Sequence, residues 1–203
     1  MAKEEIRLQV WHAMEEQNIA AFPRPVYNRI PNFVGAEKAA QNLRGLEEYK
    51  SASVVFCNPD SPQRYVRQLV LLDRKTLVMA TPKLRQGFLL INPNSLSSSQ
   101  IREGSTIHGA FKFGEQARLN EAKVDLFVAG SVAVSVNGGR LGKGTGYSDK
   151  EYTLLKNAGT LSPKALVVTT VHDVQIVKDI PKQEWDIPVD IIITPTRIIR
   201  VRK

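Results

Sequence analysis

Short, continuously apolar runs alternate with helix-like stretches through most of the chain, and this alternation constrains the fold more than any other feature. Strands that are apolar on both sides must be covered on both faces, which is typical of parallel sheets flanked by helices. We therefore predict an α/β fold with three α/β/α layers and a mainly parallel sheet. The predicted strands lie at residues 53–57, 76–80, 88–91, 124–130, 164–170 and 191–193, and helices are predicted at residues 66–72 and 151–158.

The first 50 residues have a different character. Apolar residues at helical spacing predict an amphipathic helix over residues 4–17, and residues 35–49 predict a second one. Between them, three prolines favour an irregular, extended segment. We interpret residues 1–203 as a single domain in which residues 1–50 form a helical and Pro-rich N-terminal elaboration. Residues 95–103 predict a surface loop with no more than one helical turn.

Composition limits the classes of protein. The chain has a single cysteine, Cys57, so no disulfide framework is possible and a reducing compartment fits. His12, His108 and His172 lack zinc-site spacing with it. No apolar run approaches the length of a membrane span, so we expect a cytoplasmic protein that does not enter membranes. The net charge of +8 favours polyanionic ligands, although simple solubility explains it equally well.

A glycine-rich segment, residues 138–149, reads GGRLGKGTGYSD. It lacks both the Walker A spacing, G-x-x-x-x-G-K-[ST], and the G-x-G-x-x-G spacing of dinucleotide-binding folds. Closely spaced glycines still let backbone amides approach an anion, and Arg140 and Lys143 add positive charge. Because the segment precedes a predicted helix, whose N-terminus also favours phosphate, we interpret it as a phosphate site. The alternative is a glycine-rich turn with solvated charges.

The order of residues in this segment resembles the signature of the 5-formyltetrahydrofolate cyclo-ligase family, in which the motif usually ends Gly-Tyr-Tyr-Asp-Arg. Here residues 146–150 read GYSDK. Residues 185–190, WDIPVD, and residues 3–7, KEEIR, are similar to further family motifs. Residues 22–33, 82–85, 171–175 and 194–197 resemble the branch of methenyltetrahydrofolate synthetase domain-containing proteins.

The resemblance implies a Rossmann-like sheet and an enzyme that closes 5-formyltetrahydrofolate to 5,10-methenyltetrahydrofolate. In the family reaction ATP phosphorylates the formyl oxygen, the second folate nitrogen attacks the activated carbon, and phosphate leaves. ATP and Mg²⁺ are the implied cofactors, and folate and ATP are the implied small-molecule partners. Such a site needs to position the reactants and neutralise charge rather than to supply a covalent nucleophile.

Carried over position by position, the resemblance implies a role for each site residue. Arg140 and Tyr147 are the implied catalytic residues, Arg140 for the transferred charge and Tyr147 for the folate ring. Asp149 and Asp186 are the implied Mg²⁺ ligands. The implied ATP-binding residues are Lys3, Arg7, Arg140, Leu141, Gly142, Lys143, Gly144, Thr145, Gly146, Tyr147 and Ser148.

The chain departs from the family at one point that matters. Members usually place a Glu after the first strand, where it holds the polar edge of the pterin, whereas residues 57–63 read CNPDSPQ. Either Asp60 replaces that Glu or the site binds another ligand.

An alternative hypothesis is therefore a nucleotide- or RNA-binding protein on the same scaffold without cyclo-ligase activity. Phosphate-dependent cleavage chemistry on a related α/β scaffold is a weaker third hypothesis. The alternating tail, residues 197–203, is either a plain edge strand or a phosphate-contacting strip for RNA. We expect the protein to be a monomer or a homodimer.

Overall fold

The computed structural model describes residues 1–201, and along them the helix and strand patterns follow one another much as the apolar runs predict. The helices are α1 (Lys3–Glu16), α2 (Ala36–Asn42), α3 (Glu47–Ser51), α4 (Arg64–Leu72), α5 (Ser98–Gly104), α6 (Ile107–Phe113) and α7 (Tyr147–Asn157). The strands are β1 (Val54–Cys57), β2 (Thr76–Ala80), β3 (Phe88–Ile91), β4 (Glu115–Gln116), β5 (Val124–Ala129), β6 (Ala133–Ser135), β7 (Arg140–Leu141), β8 (Leu161–Thr170), β9 (Ile176–Val177), β10 (Ile191–Ile193) and β11 (Ile198–Arg200).

The central sheet has eight strands in the order β11-β10-β8-β5-β1-β2-β3-β4. Its inner strand pairs, from β10 to β2, are all parallel, while β3, β4 and β11 join the two edges antiparallel. Parallel neighbours point their carboxyl ends to the same side of the sheet, so the loops that follow β1, β2, β5 and β8 converge there. The predicted mainly parallel sheet is confirmed.

The two faces of the sheet are covered by different layers. Val55 and Cys57 pack into a core with α2, α4, α5 and α6 on one face. Phe56, between them in the chain, packs on the other face with Phe127 and with Leu155 of α7. That second layer also contains a small sheet with the strand order β7-β6-β9. Successive side chains of a strand point to opposite faces of the sheet, so neighbouring residues lie in different cores. The three-layer α/β/α prediction is confirmed.

The N-terminal helix packs on the small sheet rather than on the central one. Ile6, Val10, Trp11 and Met14 are buried in one cluster with residues of β6 and β7 and with the segment between α1 and α2. The Trp11 indole N–H also donates to the backbone oxygen of Arg29, 3.0 Å away. The helix predicted over residues 4–17 is therefore confirmed within one residue at each end.

One helix prediction and one loop prediction are wrong in detail. The single helix expected over residues 35–49 breaks into α2, a 3-10 turn and α3, because Leu46 adopts extended backbone angles. The loop expected over residues 95–103 instead holds α5, which begins behind a capping box formed by Ser97 and Gln100. A run of serines suggested a loop, but serine is also a favoured residue for beginning a helix.

The path into the glycine-rich segment also differs from the expectation. The strand before it is not β5 alone, because β6 and β7 form a hairpin whose turn contains Gly138 and Gly139. Arg140 and Leu141 are strand residues, and Tyr147, Ser148 and Asp149 lie in the first turn of α7. The loop proper is therefore residues 142–146, which we call the glycine loop.

The C-terminal tail forms the edge of the central sheet, as one of its two interpretations predicts. β11 pairs antiparallel with β10. Arg197 contacts Asp173 at 2.8 Å, and Arg200 contacts Glu48 at 2.7 Å, so both cations already have carboxylate partners. Arg202 and Lys203 lie outside the described residues, and RNA binding by the tail stays a prediction. Within residues 1–201, every helix is too short or too polar to cross a bilayer.

An ion pair and a hydrogen bond join the end of α4 to the 3-10 turn that follows α2 and to α3. Asp73 accepts hydrogen bonds from Arg44 at 2.6 and 3.0 Å and from the hydroxyl of Tyr49 at 2.9 Å. Burial alone would raise the pKa of Asp73, but these hydrogen bonds outweigh it and lower the pKa below the usual aspartate value. The carboxylate therefore stabilises the folded protein above the unfolded-state pKa of about 4.

We predict that Asp73→Asn lowers the free energy of unfolding by about 1–2 kcal/mol at pH 7, because it removes hydrogen bonds to a charged acceptor. The deficit should shrink as pH falls below about 4, since the wild-type carboxylate loses its advantage as it is protonated. Urea unfolding across pH measures this. Glu47→Gln, which removes an exposed i,i+3 pair with Lys50, is the control and should cost under about 0.5 kcal/mol. A deficit that persists undiminished at pH 3 would contradict the assignment.

Candidate active site

The glycine loop connects β7 to α7 at the carboxyl side of the central sheet. Gly144 and Gly146 have φ angles of +103° and +67°, which residues with a side chain adopt only at a cost. Gly146 is also the N-cap of α7 and has no side chain to accept from the first helical amides. These amides and the positive end of an 11-residue helix therefore face the loop, which is an arrangement that favours anions.

A cavity of about 610 Å³ lies on one side of the glycine loop. Of the predicted ATP and metal residues, it is lined by Lys3, Arg7, Arg140, Leu141, Gly142, Gly144, Gly146, Asp149 and Asp186. Leu84, Leu154 and Trp185 add an apolar wall, and Trp185 is 66% exposed at the surface. The structure therefore brings together residues that are up to about 180 positions apart in the sequence.

Helix α1 closes this cavity with two cations. Arg7 donates from Nε to the backbone oxygen of Gly142 at 2.8 Å, so it holds the first residue of the glycine loop. Lys3 lies one helical turn earlier, and its Nζ contacts Asp186 Oδ2 at 2.5 Å. Residues four apart lie on the same face of a helix, and both cations line the cavity from that face.

The two predicted metal ligands each use a single carboxylate oxygen. Asp149 Oδ1 accepts from Arg140 at 2.5 Å and from the amide of Ile187 at 3.2 Å. Asp186 Oδ2 accepts from Lys3 and from the amide of Gln183 at 2.8 Å. Within residues 1–201 their other oxygens have no hydrogen-bond partner. The described residues contain no cluster of three or more His, Cys, Asp or Glu side chains suited to a metal.

Arg140 is buried between the two walls of the site, with 5% of its surface exposed. One guanidinium nitrogen donates to the backbone oxygen of Gly130 at 3.1 Å and another pairs with Asp149. Its Nε is buried without a partner among the described residues. The side chain is thus fixed in place, and its charge lies where the two cavities of the site meet.

A second cavity, of about 370 Å³, lies on the opposite side of the glycine loop. Lys143, Thr145, Tyr147 and Ser148 line this one and not the first, so the predicted binding residues divide into two groups. Arg140, Gly142, Gly146 and Asp149 line both cavities. The glycine loop and the start of α7 therefore form a wall that two ligands would share.

Asn58 organises the second cavity, although the sequence analysis did not assign it a role. This residue directly follows β1 and is 2% exposed. Its Oδ1 accepts from the amide of Gly130 at 2.9 Å and from the Ser148 hydroxyl at 3.0 Å, and its Nδ2 donates to Glu151 Oε2 at 2.5 Å. Asn58 therefore joins the end of β1 to the end of β5 and to α7. A polar residue placed directly after a buried parallel strand was the available signal.

Arg67 of α4 holds the backbone on which Asn58 is placed. It is 2% exposed and donates to the backbone oxygens of Asn58, Asp60 and Ser105 at 2.6, 3.0 and 2.8 Å. Burial lowers the pKa of Arg67. A buried cation satisfied by carbonyl oxygens makes the loop after β1 rigid, because releasing it would leave the charge without hydrogen bonds.

Glu151 is the second residue that sequence reasoning missed. It lies in α7, lines the smaller cavity and is 4% exposed. Burial raises the pKa of Glu151 to about 8, with a further contribution from the nearby Asp60. Asp60 itself contacts Lys143 of the glycine loop at 3.4 Å. A glutamate four residues after the first residue of a helix has no sequence signature of burial, so only the packing of α7 reveals it.

Comparisons with known proteins show which family the chain is similar to. A family model described as the 5-formyltetrahydrofolate cyclo-ligase family matches residues 1–195. The methenyltetrahydrofolate synthase domain-containing proteins of Bos taurus and Homo sapiens are each 44% identical over 205 residues, which is 98% of this chain. The chain spans about half of their length, 54% and 53%. The NMR structure of Aquifex aeolicus 5,10-methenyltetrahydrofolate synthetase is 25% identical with a TM-score of 0.58, covering 100% of this chain and 94% of that one.

We predict that Asn58→Ala lowers the free energy of unfolding by about 2 kcal/mol or more, because it leaves the buried Gly130 amide without an acceptor. Ser148→Ala removes one half-buried hydroxyl from the same network and should cost less than about 1 kcal/mol. Urea unfolding with unchanged denaturant dependence compares the two variants directly. Equal losses in both would show that Asn58 does not link β1, β5 and α7 as the contacts indicate.

Proposed function

This chain belongs to the 5-formyltetrahydrofolate cyclo-ligase family, and on that basis we propose that it converts 5-formyltetrahydrofolate to 5,10-methenyltetrahydrofolate with consumption of ATP. The observation that carries the proposal is the pair of cavities separated by the glycine loop and lined in common by Arg140, Gly142, Gly146 and Asp149. Transfer between two substrates requires both to reach one point, and a shared wall provides that point.

The larger cavity has the chemistry for ATP. Four cations line it against two carboxylates, namely Lys3, Arg7, Arg140 and Lys150 against Asp149 and Asp186. This excess of positive charge suits a polyphosphate, as do the amides at the start of α7. The exposed ring of Trp185 and the side chains of Leu84 and Leu154 offer an apolar surface for a nucleobase. The volume of about 610 Å³ lies in the ordinary range for ligand sites.

Asp149 and Asp186 fit a magnesium ion that arrives with the nucleotide. Mg²⁺ is usually held by one or two carboxylates together with phosphates and waters, so a dedicated cluster of three acids is unnecessary. The carboxylate oxygens that make no hydrogen bond within residues 1–201 are the ones that would hold it. When bound, the ion supplies neutralisation of phosphate charge.

In the proposed reaction the γ-phosphoryl group passes from ATP to the formyl oxygen, releasing ADP. The second folate nitrogen then bonds to the formyl carbon and loses its proton, the carbon–oxygen bond breaks, and the oxygen and the proton leave as hydrogen phosphate. Arg140 is fixed at the boundary of the two cavities. There its guanidinium would stabilise the negative charge on the phosphoryl group in the transition state of transfer. Lys143 would give up its 3.4 Å contact with Asp60 to do the same from the loop.

The smaller cavity would hold the folate ring. Tyr147 lines it from the first turn of α7, and the Lys150 ammonium lies 5.7 Å from the centre of the tyrosine ring. An aromatic face next to a cation suits a flat, polar heterocycle, which can stack on it or accept a hydrogen bond from its hydroxyl. Thr145 and Ser148 contribute hydroxyl groups on the same side of the glycine loop.

The proposal is tested by mixing the protein with 5-formyltetrahydrofolate, Mg²⁺ and ATP and measuring the absorbance of the methenyl product. We predict that Asp186→Asn lowers kcat/KM for Mg-ATP about 10- to 100-fold, because it weakens a metal ligand. Glu184→Gln, an exposed acid two residues earlier, is the matched control and should behave as wild type. Asp186 is the better residue to change because Asp149 also neutralises the buried Arg140.

Absence of ATP-dependent chromophore formation by the wild-type protein would refute the cyclo-ligase proposal. A normal rate for Asp186→Asn, with activity intact in the wild type, would remove only Asp186 from the metal site. Both variants should unfold at the wild-type urea concentration, which separates a lost ligand from a damaged fold.

A further inference from the structure

Glu151 is a buried carboxyl group that the contacts of the fold leave half satisfied. Only its Oε2 accepts a hydrogen bond within residues 1–201, from Asn58 at 2.5 Å. Its Oε1 has no hydrogen-bond partner there, and it is not among the fully buried atoms without a partner. Oε1 is therefore open to the cavity of about 370 Å³ that Glu151 lines.

A structural role does not account for this arrangement. No cation in the described part of the chain forms an ion pair with Glu151, although burying a carboxyl group is costly unless it is paired or hydrogen-bonded. Arg140, whose positive charge acts on Glu151, is committed to Asp149 and Gly130. A carboxyl group placed in a cavity without a cation of its own is suited to a ligand that brings hydrogen-bond donors.

The surroundings hold the carboxyl group in one orientation. Asn58 donates to it, and Asn58 is itself fixed by the Gly130 amide and by Ser148, while Arg67 holds the backbone of Asn58. Every partner is thus tied to the ends of β1 and β5 or to α7. A recognition group supported in this way can distinguish ligands by the geometry of their donors.

We propose that Glu151 is the residue that recognises the pterin ring of the folate, by accepting hydrogen bonds from its ring N–H and its exocyclic 2-amino group. This inference rests on the proposed function. The two donors lie side by side on one edge of the ring, and Oε1, the oxygen that Asn58 leaves free, has the acceptor capacity to bind both.

In this proposal the acidic residue that contacts the pterin lies in helix α7, whereas the family usually places it in the loop after the first strand. Asp60, the residue that the sequence pattern suggested as the replacement, is turned to Lys143 of the glycine loop at 3.4 Å. Glu151 has no such ion pair within residues 1–201, and it lines the same cavity from helix α7. The missing glutamate in residues 57–63 is therefore compensated by a glutamate from a different element.

Calorimetric titration without turnover tests the proposal, using 5-formyltetrahydrofolate and its analogue with hydrogen in place of the 2-amino group. The wild type should bind the parent folate at least 10-fold more tightly, since the analogue leaves a buried acceptor unpaired. Glu151→Gln should weaken parent binding about 10- to 100-fold and bring the two ligands within about threefold of each other. Asp60→Asn is the matched control and should keep the wild-type preference. ATP affinity, measured in each variant, reports whether the fold and the larger cavity are intact.

The outcomes separate this inference from the proposed function. Wild-type protein that binds both folates equally, or Glu151→Gln that keeps the wild-type preference, would overturn the role of Glu151 while leaving cyclo-ligase activity standing. Loss of the preference in Asp60→Asn alone would assign recognition to Asp60 and overturn the proposal as well. A wild type that binds ATP but neither folate would overturn both proposals together. Because the analogue changes the ligand and not the protein, the comparison holds even if Glu151→Gln fails to fold.

Discussion

The buried charge of Arg140 is the constraint on which the rest of the site depends. A guanidinium that is almost fully withdrawn from water must have an anion and hydrogen-bond acceptors close by, and Asp149 and the Gly130 carbonyl supply them. That requirement brings the first turn of α7 against β7 and the end of β5. The glycine loop between β7 and α7 is therefore held at both ends, and Arg7 of α1 holds it again at Gly142. Its conformation is set by three separate elements.

The elements that the sequence predicts best are those whose signal is local. The apolar strands β1, β2, β3 and β10 lie where their runs of apolar residues predict them, and Trp11 and Met14 identify the buried face of α1. Lys3 and Arg7 could be placed on one side of that helix by spacing alone. The glycine loop is visible in the sequence because few other structures need so many closely spaced glycines. Gly144 shows why they are needed, since its φ angle is positive.

The features that the sequence did not predict depend on contacts between distant segments. The sequence pattern indicates that Gly138 and Gly139 belong to a phosphate loop, yet they form the turn of a hairpin. Phosphate loops and tight turns both favour glycine, so the residue type alone does not distinguish them. Asn58 and Glu151 meet across 93 positions, so neither position alone indicates burial. The division of the predicted binding residues between two cavities likewise follows from how α7 packs on the sheet, which no motif encodes.

The common wall of the two cavities has a thermodynamic consequence. Because the same glycine loop lines both, any displacement of it that one ligand induces changes the free energy with which the other ligand binds. Linkage requires the effect to be mutual, so the factor by which the first ligand alters the affinity for the second equals the factor by which the second alters the affinity for the first. Residues 142–146 line both cavities, so a ligand that displaces this loop in one cavity changes the affinity of the other.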